Sequence, residues 1–116
     1  HGLQSIYVKQ ALIHLRRMLV DMQTALNDGP WLGGDAPDLR DIALIAYVDR
    51  LDRLGMDGFW TSEHPRVGPW LTAWKQTPAY ATGIEAHVPA GSAEPMRAGG
   101  AKHWPELHAI WTAKTR

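Results

Sequence analysis

Apolar residues recur at three- and four-residue steps from the beginning of the chain. Val8, Leu12, Leu15, Leu19, Met22 and Leu26 follow this spacing, which predicts one long amphipathic helix over residues 3–27. A second row, Ile6, Ile13 and Val20, repeats every seven residues beside the first. The combined stripe is wide, so the helix is expected to be packed on more than one side. Lys9, Arg16, Arg17, Gln23 and Thr24 form its wet face. The run Asn27-Asp28-Gly29-Pro30 should end it.

Trp31-Leu32 lies between two turn signals, and such a pair usually plugs a core. Asp38 then stands before a new apolar run, and Asp41 follows three residues later. This spacing fits a capping box. The Asp38 carboxylate can accept from the first turn of a helix, and Asp41 can reach back to the Asp38 N–H. Both charges would sit at the positive end of the helix dipole. Losing the Asp41 side chain should cost on the order of 1–2 kcal/mol from the cap alone. Pro37 blocks backward extension and could staple onto Ile42. The helix should run to about Leu54, with Gly55 as its stop. Its first half is apolar nearly all round, which places the capped end inside the core. Its second half, Asp49 to Arg53, reads as solvated.

His64-Pro65 should open a third helix, with Val67, Trp70, Leu71 and Trp74 on its apolar side and an irregular first turn at Pro69. Thr77-Pro78 should start a short fourth helix reaching about Ala86. From Val88 to Ala101 the composition turns to Ala, Gly, Pro and Ser, and an extended segment is expected. Trp104-Pro105 should open a last short helix with Leu107, Ile110 and Trp111 on its apolar side. The outcome is an all-α helical bundle over residues 1–87, with residues 88–116 packing back on it.

Composition narrows the functions. The chain has 116 residues, enough for one domain, with 12 basic and 12 acidic side chains. A formal net charge of zero gives no drive toward nucleic acid or an anionic membrane, and it leaves self-association unopposed. No apolar run approaches the roughly 18 residues of a membrane span. Cysteine is absent, which excludes disulfides, thiolate nucleophiles and zinc–thiolate sites. A cytoplasmic protein is expected. The start His1-Gly2-Leu3, without a methionine, reads as an internal piece of a longer gene product or an artificial boundary.

No constellation does chemistry by itself. The six histidines are scattered, and the five-residue gap between His103 and His108 suits a shared helical face poorly, so no metal site is expected. There is no Ser-His-Asp set, and Gly33-Gly34 lacks the lysine and the strand of a phosphate loop. The six tryptophans are first expected in the core and at interfaces.

The order of signals resembles the C-terminal domain of the glutathione S-transferase superfamily over about residues 3–87. The resemblance rests on the long first helix, Trp31-Leu32-Gly33-Gly34-Asp35, the Asp38–Asp41 cap, Pro65-Arg66-Val67 and Pro78-Ala79-Tyr80. It implies that Asp38 and Asp41 hold a helix end and that an apolar cleft lies between this domain and a second one. By position, Tyr47, Trp104 and Trp111 are the candidate residues of that substrate pocket. No catalytic residue and no cofactor-binding residue is assigned. The family's thioredoxin-like N-terminal domain, which carries the activating Tyr, Ser or Cys and most glutathione contacts, is expected to lie outside these 116 residues. Glutathione is thus implied only for a parent protein. The family's first C-domain helix is expected to lie outside the sequence too, which should leave an apolar flank on residues 3–27. The expected partners are the missing thioredoxin-like domain, a second copy, or a hydrophobic small molecule. The alternative implied by the same fold is a non-catalytic interaction scaffold.

Overall fold

A computed structural model describes residues 6–113. Among them, five α-helices fold into a slab of 40 × 36 × 21 Å. The only β-type pairing among the described residues is the isolated bridge between Trp31 and Gly34. The all-α architecture expected from the apolar spacing is therefore the one observed.

Helix α1 (Ile6–Ala25) buries Leu12, Leu15, Leu19 and Met22, the row that its periodicity marked. The second row behaves differently. Ile6, Ile13 and Val20 are exposed, Ile6 to 64%, so α1 is covered along one side and not on several. Residues 3–5 of the expected helix lie outside the described residues. The helix end tightens into three-residue closures, with Asn27 N–H donating to Thr24 and Asp28 N–H to Ala25, both at 3.2 Å.

Helix α2 (Leu39–Arg53) starts at the predicted cap and buries Asp41, Ile45, Val48 and Asp49. That is one stripe at i, i+4, i+7 and i+8. The expectation of a fully internal N-terminal half is corrected. Leu39 is 81% exposed, and Ile42 and Pro37 also face solvent. The solvated second half is corrected as well, because Asp49 is buried. The helix stops as expected at Gly55, whose φ of +75° suits only a residue without a Cβ. Gly55 N–H donates to Asp52 O and Met56 N–H to Leu51 O, both at 2.9 Å. This is the Schellman pairing that satisfies the last carbonyls.

A 3-10 turn at Asp57–Phe59 leads to α3 (Val67–Lys75). The helix begins three residues later than His64-Pro65 suggested. Pro69 then falls in its first turn, where an N–H has no helical partner to lose. Helix α4 (Pro78–Gly83) follows a Thr77 cap whose Oγ1 accepts from Tyr80 N at 3.1 Å, and a second 3-10 turn covers Glu85–His87.

The largest correction lies at the C-terminal end. From Ala93 onward the expected extended segment and short helix are one helix, α5 (Ala93–Ala113), with Pro105 inside it, and only residues 88–92 stay outside a helix. Pro95 sits in its first turn and costs little there. Pro105 is exposed, and it gives up one backbone bond while the helix continues through it. Gly100 is a contact residue and not a linker. A Cβ on it would lie 1.9 Å from the Leu54 carbonyl oxygen, so only glycine lets α5 meet the end of α2 this closely.

The core runs through the slab between α1, α2, α3 and α5. Phe59, Trp60, Val67, Trp70 and Trp111 are among its fully enclosed side chains. Each large aromatic removes enough apolar surface from water to contribute roughly 2–3 kcal/mol.

Candidate functional site

The buried carboxylate of Asp41 organises the N-terminal end of α2. Its Oδ1 accepts from Leu32 N at 2.7 Å and from the Trp70 indole at 2.8 Å. Its Oδ2 accepts from Asp38 N at 2.8 Å and from Gly33 N at 3.1 Å. Four N–H groups thus satisfy one fully buried anion, which is the condition for burying it at all. Asp38 completes the capping box and lies in solvent, with its carboxylate accepting from Arg40 N at 2.9 Å. The side-chain hydrogen bond and charge of Arg40 hold the Asp38 carboxyl below its usual range. Arg40 also donates to Leu32 O at 2.7 Å. Loop 31–35, α2 and α3 are locked together here, and the arrangement is structural. No reacting atom has access to Asp41.

A second polar cluster was not legible beforehand. Tyr80 on α4 donates to Asp49 Oδ1 at 2.6 Å, and Arg53 donates to Asp49 Oδ2 at 2.8 Å and to the Tyr80 hydroxyl at 2.9 Å. Burial and the Asp49 hydrogen bond push the Tyr80 hydroxyl up to about 12. Two signals could have exposed the cluster: the i, i+4 spacing of Asp49 and Arg53, and the position of Asp49 eight residues after Asp41 on the same stripe.

The apolar space suited to a ligand or a second domain is a valley between α1 and α2. It has a volume of about 380 Å³. Met18, Met22 and Ala25 form one wall, Ala43 and Leu44 the other, and Leu32 lines one end. Asp21 and Arg40 also border it, one charge from each helix.

The sequence-predicted pocket residues are distributed as follows. Trp104 and Trp111 both lie edge-on to Phe59, with ring centroids 4.9 and 4.8 Å away. Trp104 is half-buried and Trp111 is buried. Tyr47 stands apart on α2, half in solvent and outside the core cluster. It lies three residues beyond Leu44 and four beyond Ala43, so helical spacing puts it on the side of α2 that borders the valley. His103 and His108 are exposed, and no group of three potential metal ligands exists among the described residues. No helix among them is long and apolar enough to cross a membrane.

The fold defines a class first: an all-helical domain whose second helix is seated by a buried capping aspartate. The residue pattern of the glutathione S-transferase C-terminal domain matches residues 7–73, more than half of the chain, and the chain belongs to that family. No curated protein and no solved structure matches it.

Proposed function

We propose that this chain is the hydrophobic-substrate half of a glutathione S-transferase-like protein. It contributes to conjugation of glutathione with electrophiles only together with a thioredoxin-like domain. That chemistry is attack by the glutathione thiolate, accelerated by a lowered thiol pKa and by proximity. In this reading the other domain supplies the activating group and most glutathione contacts. This chain supplies an apolar wall, with Tyr47 beside the valley and Trp104 at the α5 side, and the enclosed Trp111 backs that side from within the core. The setting is cytoplasmic.

The observation that carries the reading is the uncovered apolar surface on one family-typical bundle. Tyr7 is 80% exposed and Tyr47 50%, and the valley between α1 and α2 has apolar walls. Surfaces of this kind mark interfaces or ligand grooves. The test mixes the chain with a thioredoxin-like domain of the same family and measures association by calorimetry and glutathione conjugation of a chloronitrobenzene. Association that is lost in an Ala43→Glu variant, with turnover only in the mixture, is the expected result. Turnover by the chain alone would refute the division of labour.

A second reading, a non-catalytic interaction module, is favoured by a different feature. The row Ile6, Ile13 and Val20 is exposed at heptad spacing along α1, as in helices that pair. Sedimentation of the chain as a monomer across the micromolar range would count against it.

A further inference from the structure

A second, smaller cavity of about 230 Å³ lies between α1 and the end of α5, lined by Leu12, Ile13, Arg16 and Trp111. Among the described residues Arg16 is its only charged lining residue. The guanidinium stacks on the Trp111 indole, 3.8 Å from the ring centroid, and donates from Nη2 to the Trp111 carbonyl at 2.7 Å. Its charge is poorly answered. Among the described residues its one carboxylate partner is Glu63, which approaches Nη1 with both oxygens at 3.4 Å and is itself 37% exposed, whereas the Arg16 side chain is only 22% exposed. Arg53 in the same protein meets its aspartate at 2.8 Å. Among the described residues the hydrogen bonds of Arg16 use only its two Nη groups. A largely buried cation with a loose partner is costly unless an anion completes it, and guanidinium favours a planar carboxylate. The remaining walls are apolar, and Ile13 at the rim is partly exposed.

We propose that this cavity binds a small aromatic or branched-aliphatic carboxylate. Arg16 takes the carboxylate, and Leu12, Ile13 and Trp111 enclose the apolar body. The site is built from α1 and α5 of this chain alone and needs no second domain, so it goes beyond the two-domain reading above. Glu63 is the competitor that the ligand must displace from Arg16.

The experiment uses the 116-residue chain with benzoate as probe and benzamide as its neutral counterpart. Two-dimensional NMR follows the Trp111 indole signal. Benzoate should shift that signal and bind about tenfold more tightly than benzamide, because only the anion gains the charge-assisted bond. Glu63→Gln removes the competitor and should tighten benzoate about threefold without touching either helix. Arg16→Gln should make the two probes equivalent. Equal binding of benzoate and benzamide to the wild-type chain, no effect of Glu63→Gln, or shifts that map away from Trp111 would each overturn the site. Any of these failures leaves association with a thioredoxin-like domain untouched, since that is read separately.

Discussion

The indole N–H of Trp70 donates to the Asp41 carboxylate across 2.8 Å, joining α3 to the first turn of α2. The two residues are 29 positions apart, and both are essentially inaccessible to water. The bond turns a local capping device into a tertiary one. Asp41→Ala should therefore cost much more than a cap alone. It strands the Trp70 and Leu32 donors in the interior, at roughly 1–3 kcal/mol each, so a total on the order of 3–5 kcal/mol is expected. Urea denaturation followed by tryptophan fluorescence would measure it. Asp38→Ala, at an exposed cap, should lose only a small part of that. A comparable loss for both variants would mean that Asp41 acts as a cap and nothing more.

What the chain disclosed in advance divides along a physical line. Local devices were legible: the Asp38–Asp41 box, the helix start at Thr77-Pro78, the Gly55 stop and the inward row of α1 all depend on neighbours within eight residues. Features that depend on distant partners were not. Asp49 looks like half of a solvated ion pair until Tyr80, 31 residues later, is placed over it. The Ile6–Ile13–Val20 row looks like core until the other helices are seen to cover only one side of α1. Helix α5 was hidden for a different reason. Glycine and proline weaken a helix on average, but here their penalties are offset by the docking of Gly100 on Leu54 and of Trp104 and Trp111 around Phe59. For the candidate pocket, the sequence suggested residue types, while the proximity of Trp104 to Trp111 and the separate position of Tyr47 follow only from packing.

Tyr80 should make stability fall in strong alkali. Its hydroxyl is raised to about 12, first by burial and then by the hydrogen bond to Asp49. An acid whose folded pKa lies above its unfolded value near 10 favours folding while it stays protonated. That contribution is complete below pH 10 and disappears as pH rises toward 12. Tyrosinate absorbance at 295 nm should show a late component that Tyr80→Phe removes. The same variant should cost about 1–2 kcal/mol at neutral pH, since Asp49 loses a buried donor. A titration curve unchanged by Tyr80→Phe would contradict the assignment.

His64 should act at the other end of the pH scale. It is buried beside the start of α3, and its Nε2 has no hydrogen-bond partner among the described residues. Burial lowers its pKa, Arg16 lowers it further, and Glu63 opposes them. The fold therefore favours neutral imidazole. The stability this gives is complete above the unfolded pKa near 6.5 and is lost as pH falls through the lower folded value. The thermal midpoint should drop as pH is taken from 7.5 to 5. His64→Leu should flatten that dependence while costing little at pH 7.5, because it replaces an unsatisfied polar atom by an apolar one. An equally steep fall in the variant would assign the acid sensitivity to other groups.

Two adjacent glycines in α5 should respond in opposite directions to the same substitution. At Gly99 a Cβ would meet nothing within 4 Å, whereas at Gly100 it would press into the Leu54 carbonyl at 1.9 Å. Gly99→Ala gains helix propensity with no steric cost and should stabilise by about 0.5–1 kcal/mol. Gly100→Ala gains the same propensity, but the obstacle is backbone, which cannot swing aside as a side chain does. The contact between α5 and the end of α2 must open, at a cost of roughly 1–3 kcal/mol, and the net effect should be destabilising. Chemical denaturation of the two variants in parallel decides the matter, since helix content and composition are identical in both. If α5 were the loose tail that its Gly-Ala-Pro composition suggests, both changes would be nearly neutral. Opposite signs require that the helix is docked on α2 through Gly100.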